Sequence, residues 1–244
     1  MKIGVVVQAR MGSTRLSGKV LKTIGDKTIL NHVIERLKQS KYTDAIVIAT
    51  TVLKRDSLIE AEALRSGAFV FRGSEDDVLS RYYQAAKDNQ LDVVVRVTSD
   101  CPLIDPIVLD EMINYYITHD FEIVTNVGNE LSDRTFPRGL DIEIFSFNAL
   151  ENAYHNAHEP YHREHVTPYL YEKAEKIFYF KDDNDYSHYR WTVDTEEDFQ
   201  LISEIYHYLY EGTHNFYLKD VINLFDEHPE LVTINAHIEQ KKIK

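Results

Sequence analysis

The sequence predicts an α/β fold in which parallel strands are joined by crossover helices. Apolar, β-branched runs alternate with helical patterns over the first half of the chain, which is typical of parallel sheets. Two of these runs, Ile3–Val7 and Val93–Val97, are apolar at nearly every position, as expected for strands covered on both faces. These two strands should therefore lie in the centre of the sheet.

Each element follows from a local pattern of residues. Runs with the composition of strands lie at Ile3–Val7, Ala45–Thr51, Ala68–Phe71, Val93–Thr98, Phe121–Asn126, Leu140–Phe145, Lys176–Phe180 and Tyr189–Val193. Helical spacing groups one apolar stripe at Ile29, Leu30, Val33, Ile34 and Leu37 and a second at Val78, Leu79, Tyr82, Tyr83 and Ala86. Ser74 is predicted to cap the second helix, with Asp76 and Asp77 in its first turn.

Composition narrows the classes of function. The 244 residues carry a formal net charge of −13, which argues against binding nucleic acid because such surfaces need a basic footprint. The single cysteine, Cys101, leaves no internal disulfide, and we expect neither a signal peptide nor a membrane span from the apolar runs. We therefore expect a cytoplasmic protein with no membrane partner.

One domain is expected over residues 1–244, since no repeat, low-complexity tract or linker interrupts the pattern. The segment 128–185 differs in composition from the rest of the chain, because it is rich in histidines and tyrosines and contains three of the six prolines. We interpret it as an arm or lid inserted in the same domain.

The stretch QARMGSTRLSGK, Gln8–Lys19, follows the first strand and combines glycines with cations. It is not a Walker A loop, because five residues separate Gly12 from Gly18 and Val20 follows Lys19. It also lacks the GxGxxG spacing of dinucleotide-binding loops. The motif therefore belongs to neither common class of phosphate loop.

The loop nevertheless has the groups that a triphosphate needs. It offers backbone amides at Met11–Thr14 and the cations Arg10, Arg15 and Lys19. In an open sheet the ligand crevice lies beyond the carboxyl ends of the strands, where this loop and the turn Ser99–Pro102 both emerge. The alternative is a surface loop whose cations are only solvated.

Six segments of the chain together resemble one known family. They are QARMGSTRLSGKVL from Gln8, RGSEDDVLSRYYQAAK at Arg72–Lys87, RVTSDCPLIDP at Arg96–Pro106, FPRGLDIEIFSFNALE at Phe136–Glu151, REHVTPYLY at Arg163–Tyr171 and RWTVDTEEDFQLI at Arg190–Ile202. They span nearly the whole chain in the expected order. They resemble the cytidylyltransferase family that includes the spore coat polysaccharide biosynthesis protein F group and is related to CMP-acylneuraminate and CMP-Kdo synthetases.

The resemblance implies a nucleotidyltransferase fold that is glycosyltransferase A-like and Rossmann-like, with a mixed twisted sheet between helices, and a homodimer. It implies an Mg2+-dependent enzyme in which a sugar hydroxyl attacks the α-phosphate of CTP and pyrophosphate is released. The expected sugar is an acidic nonulosonic acid, activated for surface or spore coat polysaccharide synthesis.

The resemblance also assigns roles to residues. The implied nucleotide-binding residues are Gln8, Ala9, Arg10, Met11, Gly12, Ser13, Arg15, Lys19, Thr98 and Ser99. Lys19, Arg15 and Asp100 are the implied catalytic residues, and Asp100 and Asp194 the implied magnesium ligands. Taken alone, Asp100 is also a good turn residue and Asp194 a good helix cap, and both roles are compatible with metal binding.

The acceptor sugar is expected to meet Arg138, Asp141, Glu143, Arg163 and His165, with Glu164 beside them. Asp141 and Glu143 share a strand face by the period of two, so both would meet the ligand or both would meet solvent. An arginine here would suit the carboxylate of an acidic sugar, and the alternative is a solvated or ion-paired arginine.

Two rival functions stay open at the level of sequence. A glycosyltransferase using a nucleotide sugar would usually show D-x-D after the central strand, and Ser99-Asp100-Cys101-Pro102 lacks it. A non-catalytic sugar- or nucleotide-binding subunit is favoured only by Ser17, which stands where the family usually has proline. That serine would leave the loop less rigid and the nucleotide affinity lower.

Two further motifs are set aside. Cys101 is interpreted as a small buried residue and not a nucleophile, because the implied chemistry needs no covalent intermediate. His158-Glu159-Pro160-Tyr161-His162 matches the zinc-protease string H-E-x-x-H, but a proline inside the helix would break the shared face. Pro160 is expected to start a helix over Tyr161–Lys173, with His158 outside it.

Overall fold

Among the residues that the computed structural model describes, 1–127 and 134–239, seven strands form one mixed sheet and two form a small hairpin. The strands are β1 (Ile3–Gln8), β2 (Thr23–Ile24), β3 (Lys27–Thr28), β4 (Ala45–Thr51), β5 (Phe69–Gly73), β6 (Val93–Thr98), β7 (Ile123–Thr125), β8 (Glu143–Ser146) and β9 (Ile177–Tyr179). The helices are α1 (Ile29–Leu37), α2 (Ser57–Arg65), α3 (Val78–Asp88), α4 (Pro106–Thr118), α5 (Phe147–Asn156), α6 (Pro160–His165), α7 (Pro168–Lys173), α8 (Glu196–Leu209) and α9 (Leu218–Glu227).

The order of strands in the large sheet is β5-β4-β1-β6-β8-β7-β9. The first four are parallel, β8 is antiparallel to both of its neighbours, and β9 is parallel to β7. This confirms the predicted mixed α/β sheet and the central place of the two mainly apolar strands, β1 and β6. Both strands are covered by helices on both faces, which explains why most of their residues are hydrophobic.

Two hydrophobic cores lie on opposite faces of this sheet. On one face, Val5 and Val7 of β1 pack with residues of α1, α2, α4, α8 and α9. On the other face, Val6 packs with residues of α3, α5 and α7. Because side chains alternate along a strand, Gln8 at the end of β1 lies on the α3 face, as Val6 does.

One predicted strand is absent from the described part of the chain. Tyr189–Val193 forms only a single bridge, between Arg138 and Arg190. Two hydrogen bonds make this bridge, from the Arg138 amide to the Tyr189 carbonyl and from the Trp191 amide to the Arg138 carbonyl. The apolar composition of the segment reflects burial of Trp191 and Val193 in the core and not pairing along a ladder.

The predicted strand Leu140–Phe145 begins later, at Glu143. Before that point the side chain of Asn126 takes the place of a neighbouring strand. Its Oδ1 accepts from the Ile142 amide at 2.8 Å and its Nδ2 donates to the Leu140 carbonyl at 2.6 Å. Asp141 therefore precedes β8, so the prediction that it shares a strand face with Glu143 was wrong.

Two helix starts differ from prediction by a few residues. Asp77, and not Ser74, caps α3, because its side chain accepts from the Ser80 amide at 2.9 Å. Asp76 and Asp77 consequently lie before the first turn. Thr195, and not Asp194, caps α8, and Asp198 completes a capping box with it. The side chain of Asp194 is thereby left available for other contacts.

The predicted helix after Pro160 is broken in two. Pro160 does begin α6, and His158 lies outside it, as expected. Val166 then adopts φ 73° and ψ −58°, and the Thr167 amide donates to the His165 carbonyl across it at 2.9 Å. This is a γ-turn with positive φ, a strained conformation for a β-branched residue, and α7 starts beyond it at Pro168.

The segment 128–185, predicted to be an inserted arm or lid, lies partly outside the described residues. Its described part supplies β8 and β9 to the sheet, and α5 and α6 pack against α3. No helix in the described ranges has the length and apolar character needed to cross a membrane.

A buried histidine pair links α1 to the chain after α8. His32 Nε2 donates to the Ile24 carbonyl at 2.9 Å, so its Nδ1 accepts from His214 Nε2 at 2.8 Å. Burial lowers the pKa of His32 to about 4 and that of His214 to about 3. The Glu35 carboxylate lies 3.4 Å from His214 Nδ1 but is already paired with Lys27 at 2.5 Å.

This pair predicts a loss of stability in mild acid. The unfolded chain takes up protons near the ordinary histidine pKa of 6.5, whereas the folded pair stays neutral down to about pH 4. The free energy of unfolding should therefore fall as pH drops below about 6.5, by at most about 1.4 kcal/mol per pH unit for each histidine. Urea unfolding at pH 7 and pH 5 measures the change.

The variant His214→Gln should reduce this pH dependence, while His207→Gln, on an exposed position of α8, serves as the matched control. Equal pH dependence in both variants would contradict the assignment.

Candidate active site

A cleft of about 310 Å³ opens at the carboxyl ends of β1 and β6, beside the start of α3. It is lined by Gln8, Ala9, Arg10, Gly12, Ser13, Thr14, Arg15, Lys19, Val20, Val78, Arg81, Thr98, Ser99, Asp100, Glu164, His165 and Asp194. The loop after β1 and the turn after β6 thus meet at one edge of the sheet, as predicted. Of the nucleotide-binding residues implied by sequence, all except Met11 line this cleft.

The loop after β1 is held from both ends. Leu16 is buried in the core, and Gly18 has φ 65°, which lets the chain turn into a short 3-10 helix at Lys19–Leu21. The Met11 amide donates to Asp56 Oδ1 at 2.8 Å, and the Ser13 amide donates to the Met11 carbonyl at 2.9 Å. Of the four predicted backbone donors at Met11–Thr14, these two amides are therefore engaged within the protein.

Lys19 lies between the two carboxylates that sequence implied as metal ligands. Its Nζ is 2.7 Å from Asp100 Oδ2 and 3.1 Å from Asp194 Oδ1. Arg15 forms a second ion pair with Asp194. The four residues make one charge cluster, although they come from three separate parts of the chain. We call these residues, Arg15, Lys19, Asp100 and Asp194, the charge cluster.

Backbone contacts bring the two carboxylates together. The Val193 amide donates to the Asp100 carbonyl at 2.8 Å, and the Thr192 hydroxyl donates to the same carbonyl at 3.3 Å. The turn after β6 and the segment before α8 are therefore joined directly. Neither contact was visible in the sequence, because the partners lie more than 90 positions apart.

A fully buried carboxylate, Asp198, supports Asp194 from behind. Asp198 accepts two hydrogen bonds from Arg190, both at 2.8 Å. It also accepts from the backbone amides of Asp194 and Thr195, at 3.0 and 3.1 Å. Asn235 donates to it at 2.9 Å. The position of Asp194 is thus fixed by a satisfied polar network beneath it.

Electrostatics keeps Asp100 ionised. Burial alone would raise its pKa, but the Lys19 ammonium outweighs that effect, and the pKa of Asp100 lies below its ordinary value. The neighbouring Cys101 responds in the opposite way, since burial and the Asp100 charge raise its pKa well above the usual range. Cys101 is therefore a protonated, buried thiol, which agrees with the interpretation that it is not a nucleophile.

Two of the residues implied for the sugar side, His165 and its neighbour Glu164, line the cleft. The γ-turn at Val166 follows them directly and sets the direction in which the chain leaves the cleft. Arg163 points to Asp77 at 3.6 Å and lies over the ring of Tyr154. Arg163 therefore links α6 to the start of α3.

The remaining sugar-side residues lie away from the cleft lining. Glu143 is buried and forms an ion pair with Arg96 while accepting from the Tyr171 hydroxyl at 2.8 Å. Asp141 pairs with Arg134 at 2.5 Å. Arg138 lines a separate cavity of about 160 Å³ against the C-terminal segment. Sequence spacing alone could not show which of these residues lie in the cleft and which do not, because all of them follow or precede polar turns.

Arg81 lines the cleft and was missed by sequence reasoning. It lies among the buried apolar side chains of α3 and is 2% exposed. A charged residue inside an apolar stripe was the available signal, since arginine is rarely buried without a partner.

The charge cluster has the chemistry of a divalent cation site. Asp100 and Asp194 offer hard carboxylate oxygens that already surround one cation, the Lys19 ammonium. Within the described ranges, no group of three or more His, Cys, Asp or Glu residues could hold a metal ion. A metal here would therefore take its remaining ligands from phosphate oxygens and water, as Mg2+ usually does.

Comparison with known proteins gives a consistent result. Residues 4–232 match the cytidylyltransferase family. The solved structure of a cytidylyltransferase from Leptospira borgpetersenii serovar Hardjo-bovis is 39% identical, with a TM-score of 0.89 over 100% of both chains.

Two curated relatives cover most of the chain. The spore coat polysaccharide biosynthesis protein SpsF of Bacillus subtilis is 32% identical over 93% of this chain and 95% of its own length. An 8-amino-3,8-dideoxy-manno-octulosonate cytidylyltransferase of Shewanella frigidimarina is 31% identical over 78% of this chain and 72% of its own.

Proposed function

The chain belongs to the cytidylyltransferase family, and we propose that it transfers the cytidylyl group of CTP to an acidic sugar, with release of pyrophosphate. The observation that carries the proposal is the charge cluster, in which Lys19 bridges Asp100 and Asp194 at the mouth of a cleft lined by the cationic loop. The name of the Shewanella relative indicates an octulosonate as the sugar type. An acidic nonulosonic acid is the second sugar type of the same chemical class.

The reaction forms one bond and breaks one. The sugar hydroxyl oxygen bonds to the α-phosphorus, the bond from that phosphorus to the bridging oxygen breaks, and the hydroxyl proton leaves to solvent. Negative charge on the phosphates is the main obstacle, so catalysis depends on positioning and on cations. Arg15 and Lys19 would neutralise the triphosphate and the departing pyrophosphate, and Arg10 lines the same cleft.

We propose that Asp100 and Asp194 hold Mg2+ together with the triphosphate. The bound metal would supply Lewis-acid neutralisation of the phosphate oxygens. Lys19 and Arg15, which line the same cleft, would then turn from the two carboxylates to the phosphates. A homodimer in the cytoplasm, serving surface or spore coat polysaccharide synthesis, completes the proposal.

A direct assay tests the function. The protein is incubated with Mg2+, one nucleoside triphosphate and one acidic sugar, and pyrophosphate release and the CMP-sugar mass are recorded. We expect product with CTP and with an octulosonate or nonulosonic acid, and none without the sugar. Transfer from a preformed UDP- or CMP-sugar, with CTP unused, would instead identify a glycosyltransferase. Failure to bind any nucleotide would support a non-catalytic role.

Lys19→Ala should weaken binding of the triphosphate more than it lowers stability. The variant loses a cation from the cleft and leaves Asp100 and Asp194 without their shared counter-ion. We expect CTP affinity, measured by calorimetry with Mg2+, to fall about 10- to 100-fold, the range for a lost hydrogen bond to a charged group. Lys22→Ala, which removes a half-exposed cation paired with Glu196, is the matched control. Equal affinities for the Lys19 variant and the wild type would contradict the role of the loop.

Ser17→Pro should strengthen nucleotide binding slightly. Ser17 is exposed, and its amide has no hydrogen-bond acceptor within the described ranges, so proline removes no bond there. A stiffer loop loses less conformational freedom on binding, which corresponds to about 0.4–1 kcal/mol, or roughly 2- to 5-fold in affinity. Calorimetric titration of CTP compares the two proteins, and a weaker Ser17→Pro complex would show that the loop needs a backbone angle that proline forbids.

A further inference from the structure

Arg81 carries a buried guanidinium group, two of whose nitrogen atoms have no hydrogen-bond partner in the described part of the protein. The side chain is 2% exposed, and its Nε and Nη1 atoms have no hydrogen-bond partner within 1–127 and 134–239. It lies on α3 and lines the cleft. Burying an unpaired guanidinium is strongly unfavourable, so its N–H groups are expected to meet a ligand.

The charged neighbours of Arg81 are already engaged. Arg10, Asp56 and Glu75 lie close enough to influence it. Asp56 accepts from the Met11 amide and from the Thr51 hydroxyl, and Glu75 is paired with Arg55. The two carboxylates therefore balance charge in this region, while Nε and Nη1 of Arg81, a residue that lines the cleft, have no acceptor among the described residues.

Gln8 lines the same cleft and carries a hydrogen-bond acceptor, whereas Arg81 carries donors. It ends β1 on the α3 face of the sheet, and its Oε1 atom is buried without a hydrogen-bond donor in the described part of the chain. A carbonyl oxygen can only accept a hydrogen bond. The cleft therefore contains an unmatched buried acceptor in addition to the unmatched buried donors.

We propose that Arg81 and Gln8 recognise the base of the nucleotide. This proposal rests on the proposed function. Cytosine has acceptors at O2 and N3 and a donor at its exocyclic amine. Arg81 would donate to the two acceptors, and Gln8 Oε1 would accept from the amine.

Phosphate is the alternative ligand for Arg81, and it fits the pair less well. Phosphate oxygens only accept hydrogen bonds, so a triphosphate would leave Gln8 Oε1 unmatched. The loop after β1 already supplies Arg10, Arg15 and Lys19 to the phosphates. Uracil also fits less well, because it places an acceptor where cytosine has the amine and a donor at N3. A buried polar group left unmatched in this way disfavours the wrong ligand strongly.

Calorimetry on two variants separates base from phosphate binding. Gln8→Met keeps the length of the side chain, Arg81→Met keeps its unbranched apolar stem, and both substitutions remove the nitrogen and oxygen atoms. CTP, UTP and inorganic tripolyphosphate are titrated into each protein with Mg2+. Lys87→Met, an exposed cation on the same helix, is the control.

We expect the wild type to prefer CTP to UTP. Arg81→Met should lose about 10- to 100-fold in CTP affinity while binding tripolyphosphate as the wild type does. Gln8→Met should narrow the ratio of CTP to UTP affinity, and Lys87→Met should change nothing.

Three results would overturn the inference. An equal loss of CTP and tripolyphosphate affinity in Arg81→Met would make Arg81 a phosphate ligand. If Gln8→Met left the ratio of CTP affinity to UTP affinity unchanged, the proposed contact between Gln8 and the base would be wrong. If circular dichroism shows that Arg81→Met is unfolded, the Gln8→Met result alone tests the inference. Either of these two results would leave the proposed function intact, provided that the wild type binds CTP and forms a CMP-sugar. A wild type that binds no CTP would overturn both the proposed function and the base contact.

Discussion

Asp100→Asn is expected to abolish most of the transferase activity while leaving the fold intact. The substitution keeps the shape of the side chain but removes the negative charge that Lys19 contacts at 2.7 Å. Because Asp100 is a proposed ligand of the Mg2+ that neutralises the phosphates, its loss should lower the turnover number about 10²- to 10³-fold. Because Lys19 outweighs burial and holds the pKa of Asp100 below 3.8, the loss should be uniform across neutral and alkaline pH. Pyrophosphate release at saturating CTP measures it.

Asp120→Asn is the matched control, since Asp120 is an exposed carboxylate paired with Lys176 at the far end of the sheet. It should retain wild-type turnover. Circular dichroism and the urea midpoint should be unchanged in both variants. If Asp100→Asn kept full magnesium-dependent activity, Asp100 would not be a member of the reaction centre.

Asp198→Asn is expected to destabilise the protein strongly. The Asp198 carboxylate is fully buried and neutralises Arg190, which is only 8% exposed. Removing one partner of a buried ion pair costs about 3–5 kcal/mol, and Arg190 would keep the more distant carboxylate of Asp194, at 3.9 Å. Asparagine keeps one acceptor oxygen, so it cannot serve both Arg190 and the amides of Asp194 and Thr195 as the two carboxylate oxygens do. The free energy of unfolding in urea should fall by this amount, and the activity of the folded fraction should fall with it.

Glu196→Gln provides the comparison for that variant. Glu196 lies in the first turn of the same helix and forms an exposed ion pair with Lys22 at 3.0 Å. Its loss should change the free energy of unfolding by about 1 kcal/mol or less. Similar effects of the two substitutions would show that burial of Asp198 contributes nothing to the stability of the site.

Local patterns predicted the centre of the fold well. The limits of β4 and β6 were predicted without error, because strands covered on both faces consist almost entirely of apolar residues between polar turns. Prediction failed where a tertiary contact overrides local composition. Tyr189–Val193 has the residues of a strand but finds only one pairing position, and Val166 interrupts a helix by a backbone angle that its residue type disfavours.

The site shows the same division. The placement of the cationic loop, Asp100 and Asp194 at one cleft could be predicted, because the loop and Asp100 follow the ends of β1 and β6 and because all of them lie in segments that resemble a known family. Arg81 and Asp198 could not, since their roles depend on burial and on which partners are present around them. Glu143 illustrates the converse, because its place on a strand after a polar turn does not reveal that it is buried against Arg96.

The contacts that close the charge cluster join distant parts of the chain, and this governs when the site can form during folding. Lys19 and Asp194 are 175 positions apart, and the Thr192 hydroxyl reaches back 92 positions to the Asp100 carbonyl. The parallel strands β1, β4 and β5 can pair as soon as the first third of the chain has been synthesised. Asp194 cannot reach Lys19 until residue 194 has been synthesised, and contacts of such long sequence separation form slowly. The charge cluster of a nascent chain therefore forms well after the first parallel strands can pair, together with the part of the core that α8 and α9 complete.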